Sequence, residues 1–428
     1  MSEDRLLTTA EVARRLDVKP DTVYAYVSRG LLTNVRAGDR RGSRFAQSEV
    51  DRLAGRGREA RRPSGAIERI RTALTRLSDD DVFYRGRPVS VLAAEESAEA
   101  VAHLLWTGEL RATRFDALPG QVAAARGAVA ALPGTARLTD RIRVAVAAAA
   151  AADPLRHDLD PAAVVRRAEA ILATVADALG PSPAIPRSGD PSDGAHDAGA
   201  PTRRAPTAAG PVPGDAGHDT TGPGSLAHRL WPALSGRPAT PSEAALLTRL
   251  LVVMADHDLA VSTLAARVAA SARAHPYAVV SAALGAIDGQ YHGAASTLAH
   301  RFLAEALDDP IAAIAERRRA GLAVPGFGHR VYRRRDPRVE IVLAPLRAAG
   351  APVVAVVDEL AERLADRPGG FPNVDLALAA VAHGYGLPPD AGEAVFAVAR
   401  ITGWVAHALE EYTEPGLRFR AEGVYTGL

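Results

Sequence analysis

Apolar residues along most of this chain recur every three or four positions, the spacing that turns one face of an α-helix toward a core. The stretches Ala94 to Leu105, Pro161 to Leu179, Ser242 to Val253 and Pro388 to Ala408 follow it, as do Val279 to Ile287 and Leu376 to Val381. Alternating β-type runs bounded by turn residues are few, and Pro352 to Val357 is the best candidate for a strand. The pattern predicts a mostly α protein whose many alanines permit close helix packing. It breaks from Pro181 to Ser225, where Pro, Gly, Ala, Asp, Ser and Thr replace almost every large apolar residue. Such a segment buries too little surface to offset the entropy of ordering, and predicts a disordered insertion over 181–225.

The first 60 residues follow a different, shorter rhythm. Thr8-Thr9-Ala10-Glu11 has capping-box spacing, and Val12, Ala13 and Leu16 supply an apolar face, which predicts a helix ending at Leu16. After a turn at Asp17-Val18, Pro20 or Asp21 opens a second helix through Val23, Tyr24 and Val27, with Gly30 placed to stop it. Gly38-Asp39 offers a hairpin turn in an Arg- and Gly-rich stretch, and Ser48 to Asp51 starts another helix. The Glu11 to Leu31 pattern resembles the winged helix-turn-helix of the excisionase and MerR-like group. That resemblance puts Lys19, Asp21, Thr22 and Tyr24 on a helix suited to a major groove, and Arg36, Arg40, Arg41 and Arg44 on a wing that meets phosphates. A docking or dimerisation module that binds no DNA is the other outcome such a fold allows.

Composition narrows the rest. With 428 residues and 47% hydrophobic content, the chain has length for two or three domains, each with its own core. It has no cysteine, which excludes disulfides, a thiolate nucleophile and Cys-based metal centres. The near-zero formal charge of +1 hides an uneven distribution: residues 1–62 hold fourteen Lys and Arg against nine Asp and Glu, which points toward nucleic acid at that end. Met1 to Arg5 lacks the basic and apolar regions of a signal peptide, and the apolar run Val144 to Ala152 is too short to span a bilayer, so a cytoplasmic protein with no membrane partner is expected.

Four short motifs carry candidate chemistry. His257 stands between Asp256 and Asp258 and precedes Ser262-Thr263; alone, such a histidine is more often structural, and no metal spacing surrounds it. His292 lies between small residues in Gly289-Gln290-Tyr291-His292-Gly293-Ala294, at the end of a predicted helix where a ligand can approach. His329 follows two glycines in Gly326-Phe327-Gly328-His329-Arg330-Val331-Tyr332, with Arg338 beyond it in Asp336-Pro337-Arg338. Asp375 closes Pro372-Asn373-Val374-Asp375, where an isolated Asn-x-Asp is more often a helix cap.

In this order and spacing the four motifs resemble those of citrate synthases. Arg338 is nine positions past His329, Arg400 is twenty-five past Asp375 and begins Arg400 to His407, and Arg420 precedes Tyr425-Thr426-Gly427. The resemblance covers about residues 65 to 428 apart from the insertion. It implies a two-domain all-α fold, with a large domain from 65–180, 226–292 and 391–428 and a small domain from 293–390. It implies an enzyme that condenses acetyl-CoA with oxaloacetate to citrate, or propionyl-CoA to 2-methylcitrate, without a cofactor beyond the acyl-CoA. By the same resemblance Asp375 is the base, His292 the hydrogen-bond donor to the thioester oxygen and His329 the donor to the keto oxygen. His257, Arg338 and Arg400 hold oxaloacetate, with Arg420 reaching in from the other subunit of a homodimer. Arg333, Arg334 and Arg335 either meet CoA phosphates or form a solvated basic turn. Met254, Asp258, Ser296-Thr297 and Glu422 depart from the family pattern without removing a catalytic group. A regulator that uses such a domain to sense metabolites is the alternative function.

Overall fold

Thr8 starts the first helix in the way its spacing predicts. Its backbone N–H donates to Glu11 Oε2 at 2.7 Å and its Oγ1 accepts from the Glu11 N–H at 3.3 Å, satisfying two donors that would otherwise be orphaned. The computed structural model describes residues 6–16, 18, 20–28, 31–35, 43–50, 70–78, 81–111, 113–180, 222, 224–290, 292–421 and 424–426, which fall in two units, Met1–Arg71 and Thr72–Leu428.

In the first unit, α1 (Thr9–Leu16) and α2 (Pro20–Ser28) pack beside an antiparallel pair, β1 (Leu6–Thr8) and β2 (Arg44–Ala46), with Leu7 opposite Phe45. Leu7, Val12, Val23, Leu32, Phe45 and Val50 form its core. Val35 N–H donates to the Arg44 carbonyl at 2.8 Å, and the Asn34 side chain ties Ser43 and Arg44, so the chain returns on itself at the base of the expected wing. Thr22 is half-buried and Tyr24 is exposed on α2, while Arg44 lies on β2. Lys19, Arg36, Arg40, Arg41 and the Gly38-Asp39 turn lie outside the described residues.

The second unit opens with a three-stranded antiparallel sheet, β3 (Thr75–Leu77), β4 (Val82–Tyr84) and β5 (Arg87–Pro88). The helices that follow are α3 (Val89–Glu95), α4 (Ala98–Thr107), α5 (Pro119–Ala130), α6 (Leu138–Ala151), α7 (Pro161–Leu179), α8 (Leu226–Ser235), α9 (Pro241–Met254) and α10 (Val261–Ser271). After them come α11 (Pro276–Ile287), α12 (Ala295–Asp308), α13 (Pro310–Arg319), α14 (Arg338–Ala348), α15 (Pro352–Leu364), α16 (Val374–Tyr385) and α17 (Ala391–Thr413). Helix α17 is buried along almost its whole length and packs against α7, α9, α10 and α11, so whatever it carries is held from several sides.

Three expectations need correction. Pro352 to Val357 is helical, not extended: Val353, Val354, Val357, Leu360 and Leu364 make one buried helical face after a proline at the first turn, and that longer repeat outweighs the β-propensity of four valines. Ala94 to Leu105 is divided between two helices, because extended backbone at Glu96 ends one and Ser97 caps the next by accepting from the Ala100 N–H. Ser225, taken as the end of the insertion, is buried and caps α8 by accepting from the His228 N–H at 3.2 Å. Residues 181–221 of that insertion lie outside the described residues.

Candidate active site

The chain after α9 is clamped before it reaches His257. Tyr84 Oη on β4 lies 3.0 Å from the Asp256 carbonyl and 3.1 Å from those of Val252 and Val253, and it accepts the Asp256 N–H at 3.1 Å. From the other side α17 closes in at Gly403, where a Cβ would sit 2.4 Å from Asp256 Oδ1. Behind this turn runs a buried polar chain. Thr75 Oγ1 donates to Asp256 Oδ2 at 2.5 Å, His407 Nε2 lies 3.4 Å from the same oxygen, and Arg267 Nε donates to His407 Nδ1 at 3.0 Å. Arg267 then pairs with Glu411, which Arg418 also holds, so the chain beyond α17 is tied back to the core. Although burial opposes its charge, Asp256 is held below the ordinary carboxylate range, with His407 the largest favourable influence.

His329 lies on a loop that is hydrogen-bonded to the segment leading into α16, whose first turn carries Asp375. Gly328 N–H donates to Phe371 O at 2.9 Å, Asn373 N–H to Gly326 O at 2.9 Å and Asn373 Nδ2 to Gly328 O at 2.8 Å. Gly326 and Gly328 have φ of +82° and +75°, and a Cβ on Gly326 would come within 2.7 Å of Leu376, so both the turn and the close approach demand glycine. Asn373 caps α16 by accepting the Asp375 and Leu376 N–H groups. The capping role expected of an Asn-x-Asp thus falls to Asn373, and among the described residues the Asp375 carboxylate makes no hydrogen bond. Burial pushes the Asp375 pKa up to about 6, against the pull of Arg338 and helped by Asp336.

The imidazoles are held below their ordinary pKa. Backbone N–H groups of Val331 and Tyr332 donate to His329 Nδ1 at 3.1 and 3.3 Å, which leaves the ring proton on Nε2. Arg338 Nη2 lies 3.4 Å from that Nε2, so two donors converge on one place and invite an acceptor oxygen between them. Burial, reinforced by Arg338, lowers the His329 pKa to about 4. His257 packs edge-on to His329 at 5.2 Å between centroids, and its Nε2 shares a 2.9 Å hydrogen bond with Tyr332 Oη. Burial and the neighbouring Arg338 and Arg400 hold His257 well below its ordinary pKa.

Arg338 is buried and paired through Nε and Nη2 with Asp336, at 2.9 and 2.7 Å. Asp336 also accepts the Val374 N–H at 3.0 Å, which fixes the arginine relative to the start of α16, where Asp375 stands. Arg400 is buried on α17, donates from Nε to Met254 O at 2.9 Å and stacks over Phe396 at 4.6 Å. Its two terminal nitrogens make no hydrogen bond among the described residues, a fork ready for a carboxylate. His292 Nε2 lies 2.8 Å from Ser262 Oγ, its ring meets Phe396 edge-on, and burial with Arg400 lowers its pKa to about 4.

The structure therefore gathers His257, His329, Arg338, Arg400 and Asp375 into one cluster, with His292 joined to it through Phe396 and Arg400. No hydrogen bond or ring contact links His292 to Asp375 among the described residues. Arg420 stands apart, exposed beyond α17, and Arg333, Arg334 and Arg335 are exposed after Tyr332. No group of three or more His, Asp or Glu among the described residues could hold a metal ion. Tyr84, Thr75, Arg267, Ser262 and Asp336 escaped the sequence as site residues. Asp336, two positions before an arginine, and Ser262, in the Ser262-Thr263 pair after His257, left a readable local signal.

A buried carboxyl group, three imidazoles held below their ordinary pKa and a pair of buried arginines thus stand on a mostly helical scaffold. A family model described as citrate synthase, C-terminal domain, matches residues 66–421, and one described as a helix-turn-helix domain matches residues 6–58. The chain belongs to the citrate synthase family. It is 30% identical to a 2-methylcitrate synthase of Mycobacterium tuberculosis (strain H37Rv) over 375 residues, covering 83% of this chain and 88% of that protein. It is 36% identical to a citrate synthase of Haloferax volcanii over 187 residues, a match spanning 41% of this chain and about half, 48%, of that relative. Among solved structures, a citrate synthase from Thermotoga maritima superposes with a TM-score of 0.62 at 22% identity, over 85% of this chain and 94% of that one. A citrate synthase from Thermoplasma acidophilum, in ternary complex with carboxymethyl coenzyme A and oxaloacetate, does so with 0.62 at 24% identity, over 85% and 95%. At these identities the superpositions speak for the fold.

Proposed function

We propose that the chain condenses an acyl-CoA with oxaloacetate, acetyl-CoA giving citrate and propionyl-CoA giving 2-methylcitrate. The observation that carries this is the uncommitted Asp375 carboxylate, held in the first turn of α16, whose leading segment is hydrogen-bonded to the His329 loop. Asp375 takes a proton from the carbon next to the thioester, and His292, steadied by Ser262, donates a hydrogen bond to the thioester oxygen as the enolate forms. That carbon bonds to the keto carbon of oxaloacetate, whose oxygen sits between His329 Nε2–H and Arg338 and gains a proton. Water then cleaves the thioester, releasing the CoA thiol and the new acid. His257, Arg338 and Arg400 hold the oxaloacetate carboxylates.

A weak carboxylate base needs a dry site, which fits a small domain, 293–390, closing over a large one built from 65–180, 226–292 and 391–428. The exposed position of Arg420 fits completion of a partner subunit's site in a homodimer. Arg333, Arg334 and Arg335, exposed after Tyr332, would meet CoA phosphates. No cofactor beyond the acyl-CoA enters these steps, and the cytoplasm is the location proposed. One methylene is worth only about 1 to 3 kcal/mol of discrimination, so the preferred acyl chain rests on pocket volume.

CoA thiol release from acetyl-CoA plus oxaloacetate, with propionyl-CoA in parallel, tests the proposal. A folded protein that binds oxaloacetate and releases no thiol would instead be a metabolite-sensing regulator, the alternative that the N-terminal helix-turn-helix favours. For that module we propose DNA binding through Lys19, Thr22, Tyr24, Arg36, Arg40, Arg41 and Arg44. Salt-dependent DNA binding should be lost when residues 1–62 are removed, and binding that survives the removal refutes the assignment.

A further inference from the structure

A cavity of about 960 Å³ lies apart from the cluster of His257, His329 and Arg338. Its walls come from residues 133–138 and Arg141 at the start of α6, from Gln290 and the first turns of α12 on either side of His292, and from residues 388–390 and Glu393 at the start of α17. Arg141 faces it with only 7% of its surface exposed, and its Nε is enclosed with no partner. Among the described residues the Arg141 side chain makes no hydrogen bond and no ion pair at all. A buried cation in that condition is expensive, and native proteins compensate it.

The neighbouring charges are already committed elsewhere. Arg137 pairs with Asp140 at 3.1 Å and Asp288 at 2.7 Å and lies 3.8 Å from Glu393. Asp390 accepts the Leu138 N–H at 2.8 Å, and burial pushes the Glu393 carboxyl pKa up. Arg301, also on the wall, is exposed and makes no ion pair among the described residues. Two uncompensated guanidinium groups thus face one space, alongside the apolar Leu138, Leu298 and Pro389.

We propose that this cavity binds a small organic anion, a carboxylate or phosphate with an apolar body, whose charge Arg141 receives and Arg301 assists. Occupancy ties together the segments that carry His292 and Arg400, so the anion acts as an effector of turnover without competing with oxaloacetate. Binding stands on Arg141 alone; the effect on turnover rests on the condensation proposed above.

Thermal unfolding of the full-length protein tests it, with inorganic phosphate in one arm and hexanoate in the other, at constant ionic strength set by chloride. At least one anion should raise the midpoint of the wild type and of Asp375→Asn by mass action. Arg141→Met should unfold at a higher temperature than wild type without anion, and its dissociation constant should be raised by ~10-fold or more. Arg141→Lys, which keeps the charge and loses the planar fork, should fall between, and Arg301→Gln should weaken binding while leaving the anion-free midpoint unchanged. If neither anion moves the wild-type midpoint, the cavity holds only water and the proposal fails. It also fails if the anion response survives in Arg141→Met, or if Arg141→Met or Arg141→Lys is monomeric where wild type is dimeric, because the compensating charge then belongs to a second copy of the chain.

Discussion

Asp375 and its histidine neighbours make a pH dependence that separates their roles. Burial raises the Asp375 pKa from 3.8 to about 6, while His292 and His329 are each lowered to about 4. Between pH 5 and 8 both imidazoles stay neutral donors, so the acid limb of kcat/KM should be a single titration near pH 6, active above and silent below, read from a pH-rate profile. The same group acts on stability with the opposite preference. Because the folded protein holds this proton more tightly than the unfolded chain, the contribution is full below pH 4 and lost as pH rises through 6. Asp375→Asn should therefore stabilise the protein at pH 7.5, by up to about 3 kcal/mol at 1.36 kcal/mol per pKa unit, and leave stability unchanged at pH 4. At this scale the sequence was informative for the residues proposed to act on substrate, because their motifs are short and local. It was silent on Tyr84, Thr75 and Arg267, which meet Asp256 and His407 from more than a hundred positions away and leave no spacing to read.

Among the elements, α17 does the most to position the site, since it presents Phe396 to His292, Arg400 to the cluster and Gly403 to the turn before His257. Gly403→Ala places a methyl 2.4 Å from Asp256 Oδ1 and 2.5 Å from Ala255 O, with backbone on one side and a buried carboxylate on the other. Overpacking there should cost about 1 to 3 kcal/mol in a denaturant titration and raise KM for oxaloacetate. The helical periodicity of α9, α16 and α17 was legible because each buries a long apolar face. The one strand predicted from Pro352 to Val357 failed because a six-residue apolar window cannot separate period two from period three and a half, and the deciding residues, Leu360 and Leu364, lie beyond it. The break at Ser97 was hidden for a related reason: one capping hydroxyl divides a stretch whose apolar pattern runs on unbroken.

For the whole molecule, the open question is how many chains make one site. If Arg420 completes the site of a partner subunit, Arg420→Ala and Asp375→Asn should each be inactive, yet an unfolded and refolded equimolar mixture should recover roughly a quarter of wild-type activity, since half the dimers are mixed and each has one complete site. No recovery, in a mixture shown to exchange subunits, would place Arg420 outside the site. The central claim, that this cluster is a condensing active site with Asp375 as its base, is met most directly by steady-state CoA thiol release from acetyl-CoA plus oxaloacetate. Wild type should turn over well above background, and Asp375→Asn should be slower by ~10²- to 10⁴-fold with oxaloacetate binding retained. Equal rates for the two proteins would contradict the account.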